Sequence, residues 1–552
     1  MFPVLLWYNR DVEWRTFAMS VVLNDSQQLS LTDPCFNLTD REKRIFGKSW
    51  ATYFGDYIFP KINEERFAVL FSDNKASRPA TPINVVVGAL FLKDMRQQSD
   101  DDILESILFD VRYQYALHTT SMEEQPISDR TLGRFRARCY EYELKTGIDL
   151  IMEENKALAA DMAVMMKIDG TLKRMDSMMV ASSIKNLSRL ELLYTCLANL
   201  VNEMNDRKAS LPENLIHYTD KDDRNQFIYH NKSDETEEKI TKVLTDCSTV
   251  LLLCDESYAE SVNYCMFQRV LSEQTVCEDG VYRLRTRKDG GMNGDMLQNP
   301  ADPDATYREK AGQGYKGYSA NLVESVGDGC SLITDYAFQP NTHSDSEFAK
   351  ETIEGMGKQE QKTTIVADGA FGGAENIDLA KANNIDLVTT NLLGKTPEDI
   401  QADFEFSEDG KKVVRCPGGC EPKSCWYNEK TGQCVVSFKK EQCEKCPYFQ
   451  KCHPEERKRT CKKTVSAKGK ARALQVRFRS TEEFSRLTKI RNGVETVPSS
   501  LRRAHKVDHM PVRGLIRCRQ WFGLAIAGSN IKKFCSKCMQ GLFSKPQNVV
   551  TA

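Results

Sequence analysis

The chain has 552 residues, room for about three or four domains, and its 40% hydrophobic and 28% charged residues are those of an ordinary folded protein. No apolar run approaches the roughly 18 residues of a membrane span. The opening "MFPVLLWYNRDVEWR" acquires charge too soon for a secretory signal, so a cytoplasmic, bacterial protein is expected.

The net charge of −2 hides a split: residues 451–552 hold 24 Lys and Arg against 6 Asp and Glu, and residues 1–450 hold 52 against 72. A basic block on an acidic protein is either a footprint for a polyanion or a solvated face. Residues 1–79 read as a mixed segment, with Met19 a candidate second start and a joint at "SDNKASRPATP". Residues 80–160 carry helical periodicity, and Ser99 or Asp100 caps a second helix. "PISDRTLGRFRARCYEY" predicts a basic amphipathic helix, which either enters a DNA groove or, as the simpler expectation, packs in a small bundle.

Residues 161–182 read as strand, 184–275 as helices, and 278–310 as a polar loop rich in Gly, Asp and Pro. The order strand–strand–helix–strand–helix–strand follows, from "YKGYSANLVESV" to "IDLVTTNLL", and indicates a mixed α/β sheet. The stretch 411–475 breaks the pattern and reads as a Cys-rich insertion. Helices resume at "STEEFSRLTKIRNGVE" and "RGLIRCRQWFGLAIAGSNIKKF", where Trp521 and Phe522 are expected in the core.

Three acidic segments invite chemistry. Asp368 of "TTIVADGAFGG" follows a buried strand, the place where α/β proteins build sites, although an Asp-Gly pair also makes an ordinary turn. Asp169 of "KIDGT" and Asp176 of "RMDSMMVAS" are seven residues apart, so on one continuous strand they face opposite ways and only one can join Asp368. Periodicity does not choose between them.

"KRMDSMMVASSIKNLSRLELL" resembles the first signature of the DDE transposases of bacterial insertion sequences, in which an Arg-x-Asp-Ser segment leads into a Leu-x-Arg-Leu-Glu helix. "VADGAFGGAENIDLA" resembles their second-Asp segment, and "RNGVETVPSSLRR", followed by an Arg-Gly-Leu helix, their Glu segment. "GALFLKDMRQQSDDDILESI…DRTLGRFRAR" resembles the helical domain that precedes their catalytic core. The resemblance implies an RNase H-like α/β core carrying Asp176, Asp368 and Glu495 as ligands of Mg²⁺ or Mn²⁺; Ser177, the neighbour of Asp176 on the opposite strand face, is expected to have no catalytic role. It implies cutting and joining of transposon-end DNA, with duplex ends and target as partners, a homodimer on DNA and no membrane. An inactive DNA-binding relative and a nuclease of the same fold are the rivals. The chemistry agrees: in-line transfer at phosphorus suits two hard cations about 3.5–4 Å apart, held by carboxylates. Arg491, four residues before Glu495, either holds a phosphate bidentately or pairs with Glu495 on a helix surface. Pro498 requires the helix to end or kink just beyond Glu495.

Eight cysteines fall within residues 416–461. "CPGGC" and "CEKCPYFQKC" have the paired spacing of a structural zinc site, with Cys416, Cys420, Cys443 and Cys446 as the expected quartet. Cys425, Cys452, His453 and Cys461 are substitutes. The expected layout is thus an N-terminal segment (1–79), a helical DNA-binding candidate (80–160), and a first core part (161–410) with a helical insertion at about 184–300. The Cys-rich insertion (411–475), a second core part (476–540) and a tail (541–552) complete it.

Overall fold

The computed structural model describes residues 38–71, 81–119, 127–229, 235–310, 312–391 and 396–541. Met19, most of the "SDNKASRPATP" joint and the tail from 542 lie outside the described residues. The chain divides into two compact units, Met1–Phe348 with Thr496–Ala552, and Ala349–Glu495.

In the first unit, four helices follow the predicted helical periodicity: α1 (Ile83–Arg96), α2 (Asp100–Phe109), α3 (Thr131–Thr146) and α4 (Leu150–Met165). Ser99, not Asp100, caps α2; its hydroxyl accepts from the Asp102 amide while the Asp102 carboxylate accepts from the Ser99 amide, both at 3.0 Å. Helix α4 runs to Met165, so the strand expected over 161–182 starts later, as β1 (Leu172–Ala181). The helical insertion carries α5 (Arg189–Asp206), α6 (Thr236–Leu253) and α7 (Val262–Gln274) around a core of its own, which includes Leu197, Val243, Cys247 and Phe267.

The expected loop over 278–310 contains strands. A hairpin of β2 (Thr275–Glu278) and β3 (Val281–Leu284) turns through Asp279 and Gly280, both at positive φ, where the Asp-Gly pair fits the tight turn. Strand β4 (Thr306–Lys310) pairs with β5 (Gln313–Gly327), and β5 turns through Gly-Asp-Gly into β6 (Cys330–Pro340). Strand β1 lies antiparallel to β5 along its other edge, with Asp176 opposite Leu322. Helix α8 (Asp345–Met356) follows.

The second unit begins within α8 and continues with β7 (Thr363–Ala367) and β8 (Ile385–Thr389), a parallel pair joined by the crossover helix α9 (Ala374–Ala382). Parallel pairing requires such a crossover and buries both faces, which explains the apolar runs "TTIVA" and "IDLVT". The Cys-rich insertion is a small antiparallel sheet whose order includes β9 (Ser424–Asn428), β10 (Gln433–Lys439) and β11 (Thr460–Val465). Helices α10 (Ala467–Arg479) and α11 (Glu482–Asn492) complete the unit, and α11 packs on β7. A mixed α/β core, a helical N-terminal region, a helical insertion and a small Cys-rich β insertion are therefore all present.

The chain returns to the first unit with α12 (Thr496–His505) and α13 (Leu515–Met539). Helix α13 is its hub. Leu524, Ile531 and Phe534 join the core of the N-terminal helices, and Phe522 joins the core under β1, β5 and β6. Phe522 is fully buried, worth about 1.5–3 kcal/mol. Trp521 is partly buried, with the Lys93 ammonium 4.4 Å above its ring. Gly528 lets α13 touch α1, because a Cβ there would stand 2.6 Å from the Met95 nitrogen. In β6, Thr334 is an extra residue between the pairs Val323–Asp335 and Glu324–Ile333. Asn530 of α13 braces that bulge, accepting from the Ile333 amide at 3.0 Å and donating to its carbonyl at 2.7 Å. Helix α3 packs in this layer through Leu132, Phe135 and Cys139, and Arg134 and Arg138 stay on its exposed face.

Candidate active site

Asp169 and Asp176 are separated by structure, not by strand parity. Asp169 is exposed and precedes the strand; its carboxylate accepts from the Thr171 amide at 2.9 Å and closes a turn at Gly170. Asp176 lies within β1, half-buried, on the strand face that also carries Met178 and Val180. Its carboxylate accepts from the Ser177 amide at 3.0 Å. Ser177 points to the other face and donates to the Asp345 carboxylate at 2.8 Å. Asp345 is nearly buried and was not among the expected site residues; its signal, an acid in the first turn of "SDSEFAKETIEGM" just after the capping Ser344, is an everyday one.

In the second unit Asp368 directly follows β7. Its Oδ1 accepts from the Gly369 amide at 2.7 Å, from Asn391 Nδ2 at 3.2 Å and from Thr390 Oγ1 at 3.4 Å. Thr390 and Asn391 sit just past β8, so the ends of two parallel strands converge on this carboxylate, the usual location of sites in α/β sheets. Gly369 is obligatory for that approach, since a Cβ would stand 2.6 Å from the Asn391 carbonyl oxygen. Sequence reasoning named Asp368 but missed these two supports, which "VTTNLL" offers only as polar residues after a strand.

Glu495 closes a short 3-10 turn, Gly493–Glu495, after α11 ends at Asn492. The expected interruption is there: Pro498 falls in the first turn of α12, where its missing N–H breaks no helical bond. Glu495 is 66% exposed and accepts from Arg491 Nη1 at 2.9 Å, whereas Arg491 is only 15% exposed. An exposed pair of this kind is worth about 0–1 kcal/mol, so little holds Glu495 away from another partner.

The cysteines of the insertion sort into neighbours. Cys420 hydrogen-bonds Cys416, Cys425 bonds Cys434 across β9 and β10, and Cys443 bonds Cys461. A Cβ on Gly418 would stand 2.7 Å from the Cys446 sulfur and 3.7 Å from that of Cys416, so the two knuckles face each other across this glycine. Cys452 lies near Cys416 and Cys446, while the substitute His453 is exposed. Burial, and then the neighbouring sulfurs, raise the Cys443 thiol to about 12 and the Cys434 thiol to about 11. Among the described residues, no three His, Cys, Asp or Glu side chains are gathered as a ready-made metal cage.

Residues 415–535 match the family described as a transposase DDE domain, a span that holds Arg491, Glu495 and the cysteine block. Residues 54–138 match a second family, a transposase domain (DUF772), over α1, α2 and half of α3. Asp176 and Asp368 lie in neither span. No curated protein matches the chain. A solved structure titled "Cryo-EM structure of piggyBac transposase synaptic complex with hairpin DNA (SNHP)" aligns at 11% identity, over 92% of this chain and 81% of that one. Its TM-score of 0.25 is too low to mark a common fold. Two transposase-domain families match toward opposite ends of one chain with a mixed α/β core between, so the chain is similar to DDE transposases of the insertion-sequence type.

Proposed function

We propose that this chain is a transposase that cuts and joins duplex DNA at transposon ends with divalent cations held by Asp176, Asp368 and Glu495. The observation that carries this reading is Asp368, seated where two parallel strands end and held through one carboxylate oxygen, with the helix leading to Arg491 and Glu495 packed on its strand. The donor set is all carboxylate, which fits Mg²⁺ or Mn²⁺ and not a soft metal. Two such ions, when bound, stabilise the attacking and leaving oxygens of an in-line displacement at phosphorus. Arg491 releases Glu495 to the cation and turns its guanidinium to a phosphate beside it. The protein works as a homodimer on transposon-end and target DNA in the bacterial cytoplasm.

The test is incubation of duplexes carrying the inverted repeats that flank the gene. Nicked and joined products are expected with Mg²⁺ and none with EDTA. Binding without cutting in either Mg²⁺ or Mn²⁺ would make the chain a DNA-binding relative, and cutting without joining would make it a nuclease.

The Cys-rich insertion takes one structural zinc between its two knuckles, with Cys416, Cys420, Cys443 and Cys446 as ligands and Cys452 beside them. Four thiolates close a tetrahedral site and leave no open position for catalysis. Metal analysis is expected to give one zinc per chain, lost in Cys446→Ser along with the fold of β9–β11. A purified, folded chain without zinc would sink this assignment.

A further inference from the structure

The first unit holds a further candidate site, which none of the three acids lines. A pocket of about 440 Å³ opens between α12, α13 and the β5–β6 turn. Its walls include Lys532, Lys533, Ser536 and Lys537 from α13, and Ser500 and His505 from α12, and none of the residues lining it is acidic. Three ammonium groups on two turns of one helix repel each other and call for a counter-charge. Lys533 has one, the buried Glu324 at 3.0 Å beneath the pocket. Among the described residues, neither Lys532 nor Lys537 has a carboxylate within ion-pair distance. Asp328, in the β5–β6 turn, pushes the Cys330 thiol up, opposite to Lys537 and Lys533, which draw it down.

His505 adds an independent sign. Its Nδ1 is buried and has no hydrogen-bond partner among the described residues, an arrangement that costs about 1–3 kcal/mol. Burial, and then the nearby Lys532 charge, push its pKa down to about 4, so the ring is neutral at pH 7. Such a pocket is complete only when something brings negative charge and several acceptor oxygens to it. A tetrahedral phosphate does so, accepting from two ammoniums, from serine hydroxyls and from the imidazole.

We propose that this pocket seats a backbone phosphate of the DNA, held by Lys532 and Lys537 together with His505, Ser500 and Ser536. The DNA source rests on the transposase reading above; the phosphate chemistry does not. The site anchors the duplex through charge and shape without reading sequence.

The test uses the full chain with labelled histidine, the His505 signal being assigned by its loss in His505→Asn, and a Lys532→Gln/Lys537→Gln variant. Addition of duplex is expected to shift the His505 resonance and raise its pKa. The variant, unchanged in circular dichroism, is expected to lose that shift, to bind duplex roughly tenfold more weakly, and to show a salt dependence shallower by about 1 per lysine. Unchanged affinity and salt slope in the variant would overturn the proposal. Inorganic phosphate separates the sources: if it moves His505 and duplex does not, the site takes free phosphate and the DNA assignment falls. If neither moves His505, the pocket is no phosphate site. A wild type that binds no duplex at all refutes the transposase reading and the DNA source together, while a His505 response to inorganic phosphate would still stand.

Discussion

Asp368→Asn is expected to give a folded, DNA-binding protein that no longer cuts. The substitution keeps shape, and the amide oxygen can go on accepting from the Gly369 amide, Thr390 and Asn391, all of which bond Oδ1. The turn between β7 and α9 therefore survives. What disappears is one negative charge and one hard oxygen donor for the cations. Loss of metal-borne stabilisation of several kcal/mol lowers the cleavage rate by ~10³-fold or more. Asp176→Asn should behave alike, because its bond from the Ser177 amide at 3.0 Å also needs only an oxygen. Glu495→Gln keeps an acceptor for Arg491 and loses the charge. Asp169→Asn is the control: its carboxylate serves a turn ahead of the strand, so cleavage should be unchanged. Rates of cleavage on end duplexes, with circular dichroism and binding measured in parallel, decide each assignment. Any of the three acid variants cutting at the wild-type rate removes that residue from the site.

The choice of Asp176 shows where the sequence sufficed and where it did not. Parity made Asp169 and Asp176 alternatives only on the premise of one continuous strand. That premise is false: Met166 ends a helix, Gly170 takes a positive φ, and the strand begins at Leu172. The resemblance to a family chose Asp176; the alternation of apolar residues could not. Local signals did well where partners are close in sequence, as with the Ser99–Asp102 cap, the Gly-Asp-Gly turn and the break before Pro498. They did poorly at 278–310, where a two-residue Asp-Gly turn between short strands was lost among other glycines and aspartates. Partners far apart were invisible. Ser177 meets Asp345 across 168 residues, and Asp368 meets Asn391 across 23. Cys443 reads as a partner for Cys446 by spacing, and the fold adds a neighbour the spacing does not show, Cys461 on β11.

Glu324 carries the second large expected effect, on stability. The segment "ESVGDG" reads as the polar end of a strand, but Glu324 is 0% exposed. It is held by Arg174 at 2.6 Å, by Lys533 at 3.0 Å and by the Ser331 hydroxyl at 2.9 Å. Arg174 is itself buried in β1, two residues before Asp176, and Lys533 belongs to α13, so one carboxylate joins β1, its neighbour β5 and the central helix. Burying such a group is costly in itself, and removing one partner is worse than having neither, because the remaining charge is left uncompensated. Glu324→Gln strands Arg174 in this way and is expected to cost about 3–5 kcal/mol, read as a lower denaturant midpoint. The double variant Arg174→Met/Glu324→Leu removes both charges and should recover much of that loss. A double variant as unstable as the single one would mean that packing, not charge, explains the effect. The substitution also has a sign at the neighbouring pocket. It releases Lys533 from its counter-charge without touching Lys532 or Lys537, so at temperatures where the variant is folded it should bind duplex at least as tightly as wild type. Weaker binding by a folded Glu324→Gln protein would show that Glu324 matters there by placing Lys533, not by neutralising it.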